Sequence, residues 1–210
     1  MRRLFPLMLL CAVVPPPAAA ADGLDATAIV RALARPAPSA TAFVELRGSA
    51  LLRQPLRVSG EYRRPDADTL VREVRAPYRE TTTIRGGQAT IEREGKPAQR
   101  FELARVPELA GLQASFSALL AGDVAALQHQ YRVQASGDPR AWTLNLQPQD
   151  AALARRVRQV TLHGVGDELR CIETLPARGD AQRTLLGGAA QAAAPALDAA
   201  ALQALCRGGA

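Results

Sequence analysis

The chain has 210 residues, and 48% of them are hydrophobic but only 4% aromatic, so it can build a full core yet has few large side chains to fill it. Its 26 basic and 20 acidic residues are interspersed, and Lys96 is the only lysine. No compact basic cluster is interleaved with aromatics, which argues against a nucleic-acid partner, although mild attraction to an anionic lipid surface remains compatible with the charge.

Residues 1–21 read as a signal peptide. Met1-Arg2-Arg3 is a basic start, Leu4 to Val14 an apolar run too short to span a bilayer, and Ala19-Ala20-Ala21 a small-residue cleavage site before Asp22. Cys11 follows Leu10, where lipoprotein processing would want a small residue, so an anchored lipoprotein is not expected. The protein is therefore expected to be exported, with 22–210 as a single domain. Losing Arg2 and Arg3 lowers the formal charge of +6 by two.

A helix is expected over Asp22 to Ala34, ended by Arg35-Pro36. Ala42 to Leu52 reads as a strand, with Val44 and Leu46 on one face and Glu45 and Arg47 on the other. From Leu56 to Leu103, short runs rich in Val, Thr, Ile, Tyr and Phe alternate with Arg and Glu. Arg64-Pro65-Asp66, Ala76-Pro77, Gly86-Gly87 and Gly95-Lys96-Pro97 punctuate them, as an antiparallel meander requires. The period changes at Pro107. Leu109, Leu112, Phe116, Leu119, Leu120, Val124 and Leu127 form a helical apolar stripe, split at Gly122-Asp123 with Asp123 as a cap. Strand signals return with Tyr131, Val133 and Ala135, then Trp142, Leu144 and Leu146. Asp150 to Ala154 is a short helical turn. Val157–Gly164 and Glu168–Leu175 form a hairpin about Gly166-Asp167, and Gln182–Leu186 is a last strand. Gly187 to Ala196 is loosely specified, and Leu197 to Cys206 closes the chain as a helix.

This order predicts a mostly β, α+β fold. Roughly ten or eleven strands form a mostly antiparallel, strongly curved sheet, and the inserted helices cover its open mouth. Cys171 and Cys206 are an even pair. In an oxidising compartment they suggest a disulfide pinning the last helix to a strand; two buried free thiols are the alternative.

Catalytic signals are weak. Ser115 and Ser117 lie in a helical stretch outside any nucleophile elbow, and Gly86-Gly87 sits between strands rather than before a helix. His129 and His163 lack ligand-like spacing, so no metal and no cofactor is expected. Glu45, Glu61, Glu73, Glu80, Glu92 and Glu94 are expected to pair with arginines on a solvated face. What remains is apolar surface. An inner face is expected from Val44, Leu46, Leu56, Val58, Leu70, Val74, Ile84, Ile91, Phe101, Leu103, Trp142, Leu144 and Leu146, with Leu112, Phe116, Leu119 and Leu120 from the helical insertion. An ordinary filled core is the alternative to a cavity.

The element order, carried by particular residues, resembles the LolA-type periplasmic carriers of outer-membrane lipoproteins. Those residues are Ile29 to Leu33 followed by Phe43-Val44-Glu45, Ser59 to Pro65, Ile84 to Gln88 continuing through Thr90-Ile91-Glu92, Phe116 to Asp123, the Trp142 to Pro148 strand, and Gln159 to Leu162. The resemblance implies an eleven-stranded half-barrel with a helical lid over a cavity that takes acyl chains of lipoproteins or related lipids. It implies no enzyme activity, a periplasmic location, a monomer, an inner-membrane donor and an outer-membrane acceptor. The family's arginine before a proline matches Arg64, which would hold the lid closed until cargo arrives. Gly86-Gly87 in place of Asp-Gly, the scarce aromatics and the Cys206 helix depart from the pattern and point to a divergent branch with its own acylated or polyene cargo. A sensor or assembly module on the same half-barrel is the alternative function.

Overall fold

The computed structural model describes residues 24–47, 55–105 and 107–208. The expected signal peptide lies outside them. Eleven strands form one antiparallel sheet: β1 (Ser39–Arg47), β2 (Leu56–Asp66), β3 (Thr69–Ala76), β4 (Glu80–Arg85), β5 (Gln88–Arg93), β6 (Gln99–Glu102), β7 (Tyr131–Asp138), β8 (Ala141–Pro148), β9 (Val157–Val165), β10 (Glu168–Pro176) and β11 (Gln182–Leu186). Their order is β6-β5-β4-β3-β2-β1-β11-β10-β9-β8-β7. Two meanders are thus joined by the β1–β11 pair, and β6 and β7 remain unpaired with each other, so the barrel is not closed.

The helices lie where the period changes. α1 (Ala26–Ala32) starts at the N-cap Asp25, whose carboxylate accepts from the Thr27 amide. α2 (Pro107–Ala121) opens on proline, whose missing N–H is harmless in a first turn. It ends at Gly122, whose φ of +67° suits glycine and where a β-carbon would meet that of Ala34 at 3.0 Å. Asp123 then caps α3 (Val124–Gln130) through the Ala126 amide. α4 (Ala151–Ala154) is the short turn after β8. α5 (Gly187–Ala192) occupies the stretch that looked unspecified, and α6 (Ala199–Cys206) begins at the cap Asp198. Among the described residues no helix is long and apolar enough to cross a membrane.

Both faces of the sheet are covered near its centre. On the concave face of β7–β10, Trp142, Leu144, Leu146, Val160 and Leu162 pack under Ile29 and Val30 of α1, Leu33 at its C-cap, Ala118 and Leu119 of α2, and Leu127 of α3. The convex face of β1, β11 and β10 carries a second cluster beneath α5 and α6: Val44, Cys171, Leu185, Ala189, Ala190, Leu202 and Cys206. A Cys171–Cys206 disulfide fastens α6 there, across a sequence separation of 35.

That convex cluster corrects one expectation. Val44 and Leu46 do not face the concave interior; they pack against the α5–α6 layer. The residues of β1 do alternate between two faces, but the inner one carries Phe43 and Glu45. Both faces of β1 are covered, so apolar residues mark neither one as the interior.

Candidate lipid-binding cavity

Between α2 and the concave face lies a cleft with about 760 Å³ of empty space, including the part open to solvent. Leu70, Tyr62, Phe116, Leu119, Leu120, Leu33, Leu169 and Leu186 supply most of its wall. Arg35, Arg63, Arg64, Glu168, Ser39 and Thr41 give it a polar rim. Leucines from a strand, a lid helix and the opposite meander thus converge on one space.

Strand register explains the wall. Gly60, Tyr62 and Arg64 alternate along β2 and share one face. Gly60 sits opposite Phe43 and Val74. A β-carbon there would lie 1.9 Å from the Glu73 carbonyl oxygen and 3.0 Å from the Phe43 ring, so the strands can close around that ring only over a glycine. Phe43 then stacks on Tyr62 with centroids 4.9 Å apart, and Tyr62 meets Phe116 of the lid at 5.7 Å. An aromatic column therefore runs from the sheet centre to α2. Burial pushes the Tyr62 hydroxyl pKa up, with nearby Arg72 opposing it.

Further along the same face the register aligns Leu70 with Ile84, Ile84 with Ala89, and Ala89 with Phe101. Ile91 pairs with Thr82 on that face. Leu70, Ile84, Ile91 and Phe101 are each only half-buried, so this wall is apolar and incompletely covered. Val58 is fully buried with Phe43, Val74 and Leu186 and acts as packing behind the cavity. Trp142 and Leu144 share the concave surface but are sealed beneath the helices, and Leu112 lies outside the described side chains.

Arg64 joins wall to lid. Its Nη1 donates to the Arg35 carbonyl at 3.0 Å and to the Leu120 carbonyl at 3.3 Å. The Leu120 carbonyl also accepts the Arg35 backbone amide at 2.9 Å. One α2 carbonyl thus ties the lid to β2 and to the segment after α1. Arg35 reaches on to the β9–β10 turn, donating to the backbone and carboxylate of Asp167.

The acidic residues expected on a solvated face divide between the two faces of the sheet. Glu61 and Glu73 do pair with Arg75 on the convex surface. Glu45 and Glu80, however, lie on the concave face with Arg72 and Arg93. Glu80 is only 8% exposed, and the Arg72 guanidinium stacks 4.6 Å from the Phe43 ring centroid. Alternating Arg and Glu mark a two-faced strand without naming the wet side.

Under α6, His163, Glu173 and Cys206 bring ligand-type atoms within 4.8 Å of one another. The Cys206 sulfur is bonded to Cys171, and Glu173 pairs with Arg183, so the group reads as packing around the disulfide.

A family model described as "Outer membrane lipoprotein carrier protein LolA-like" matches residues 18–209. The chain belongs to this LolA-like family. Among solved structures, a LolA superfamily protein from Nitrosomonas europaea aligns at 11% identity and a TM-score of 0.40, covering 78% of this chain and 91% of its own. LprF from Mycobacterium bovis aligns at 13% identity and a TM-score of 0.34, covering 77% of this chain and 91% of its own. No curated protein matches.

Of the residues expected in the cavity wall, Leu70, Phe116, Leu119 and Leu120 line this cleft, as does Arg64, expected as the lid latch; Val58, Ile84, Ile91, Phe101, Trp142 and Leu144 do not line it. Sequence reasoning missed Tyr62, Leu33, Leu169 and Leu186. Tyr62 could have been found, since Arg64 lies two residues further on the same strand and therefore on the same face.

Proposed function

We propose that the protein is a non-enzymatic periplasmic carrier that holds acyl chains of a lipoprotein or related lipid in this cavity, between an inner-membrane donor and an outer-membrane acceptor. The observation that carries the reading is the partly open apolar space beneath α2, latched at its rim by Arg64. Burial of each methylene contributes about 0.8 kcal/mol, so a chain of ordinary length is held without any polar recognition. Opening requires Arg64 to release two carbonyls, which links cargo entry to movement of α2. The disulfide suits an oxidising compartment. The LolA-like family supports a carrier in kind but leaves the cargo to be identified.

Native mass spectrometry and lipid extraction of protein purified from its own host test this. Co-purifying acyl lipid, displaced by a fluorescent fatty acid, is the expected result. Protein that is consistently empty and ignores such probes refutes it.

A further inference from the structure

Behind the α2 side chains lies a second space, of about 440 Å³ including its open part. Leu127, Leu146, Val160, Leu162 and Ile172 line it, and it shares Phe116 and Leu119 with the first cavity. Those two side chains are therefore a partition with room on both sides. We propose that this inner space is a second chamber that takes the distal end of a long acyl chain whose head stays in the outer cavity. The inference rests on the carrier reading.

The chemistry of the two linings separates head from tail. The outer cavity carries Arg35, Arg63, Arg64 and Glu168, whereas no charged residue lines the inner one. The inner polar groups at the α2 end already serve one another: the Ser115 hydroxyl donates to the Gln130 amide oxygen at 2.8 Å and is hydrogen-bonded to the Tyr131 hydroxyl at 3.1 Å. A polar head entering there would lose its hydration and break these bonds, while a hydrocarbon end loses nothing. Phe116 is half-buried, and its ring touches Tyr62 at the cavity side. Rotation of the Phe116 and Leu119 side chains would join the two spaces without moving a strand, because the partition is made of side chains and not backbone.

The test is a series of saturated fatty acids of increasing length, with affinity measured by displacement of a fluorescent fatty acid from the full exported chain. In the wild type, affinity should rise by up to about fourfold per added methylene until both chambers are filled. Ile172→Phe and Thr174→Phe place bulk in the inner chamber from two positions on β10, so failure of one to fold leaves the other. Both should match the wild type on short chains and stop gaining affinity at a shorter length. If folded variants follow the wild-type length dependence throughout, the second chamber is refuted and the carrier reading stands. If the wild type binds no chain of any length, both fall.

Discussion

Arg64 lies on the concave wall, yet its guanidinium binds two backbone carbonyls, one from the segment after α1 and one from the end of α2. Charged donors to neutral acceptors are worth roughly 1.5–3 kcal/mol each when well placed. Here they stabilise only the closed lid. Arg64→Leu should therefore favour the open state and bind hydrophobic dyes more strongly when empty. It should also hold fatty acid about tenfold more tightly, because less binding energy goes into opening. Dye fluorescence and probe titration of the two proteins check this, and unchanged affinity would remove the latch. His163 offers a separate residue-scale test. Burial holds its pKa below the ordinary 6.5, with Arg207 and Arg183 adding to the effect and Glu173 opposing it. A depressed histidine pKa means that the unfolded chain takes up the proton first. Stability is thus complete above about pH 6.5 and declines as pH falls from there toward the folded value. Thermal melts between neutral and mildly acidic pH should show this decline, and His163→Gln should flatten it.

At the scale of elements, the sequence carried more about periods than about sides. The change from period two to helical spacing at Pro107, the cap at Asp123, and the turns at Gly86-Gly87 and Gly166-Asp167 are local signals, and each falls where the structure has it. Val44 and Glu45 show where local signals stop. Whether Val44 faces the cavity depends on α5 and α6, which lie about 140 residues away and cover the other surface of β1. α5 itself was illegible because its sequence is alanine and glycine. Ala189, Ala190 and Ala193 are buried by fit to the sheet and not by any apolar stripe. The disulfide fastens α6 of this distant layer to β10. Both sulfurs are essentially buried, and the bond closes a loop of 35 residues, worth about 3–4 kcal/mol on the chain-entropy model. Replacing Cys171 and Cys206 together with alanine should lower the melting temperature by about 10 °C. Calorimetry checks this, and reducing agent should affect only the wild type.

The whole molecule is asymmetric about the β1–β11 seam. On one side, β7–β10 are sealed under α1–α4, with Trp142, Leu144 and Leu162 at 2% exposure or less. On the other, β3–β6 present Leu70, Ile84, Ile91 and Phe101 half-buried, and β6 ends the sheet. A closed barrel would have buried both walls alike. An open one can keep a stable half as scaffold and leave the other half short of apolar partners, which is the condition under which a lipid adds the missing contacts. The two halves should therefore differ in local stability. In hydrogen exchange followed by mass spectrometry, peptides from β8–β10 should exchange last, near the rate of global unfolding, and those from β4–β6 well before them. Saturation with a short fatty acid, which fills only the outer cavity, should slow exchange in β2, β3 and α2 by more than tenfold while leaving β8 and β9 almost unchanged, since no residue of β8 or β9 lines that cavity. Uniform protection across both meanders would mean that ligand merely stabilises the fold as a whole. Protection confined to β8 and β9 would place the chain on the wrong side of the seam.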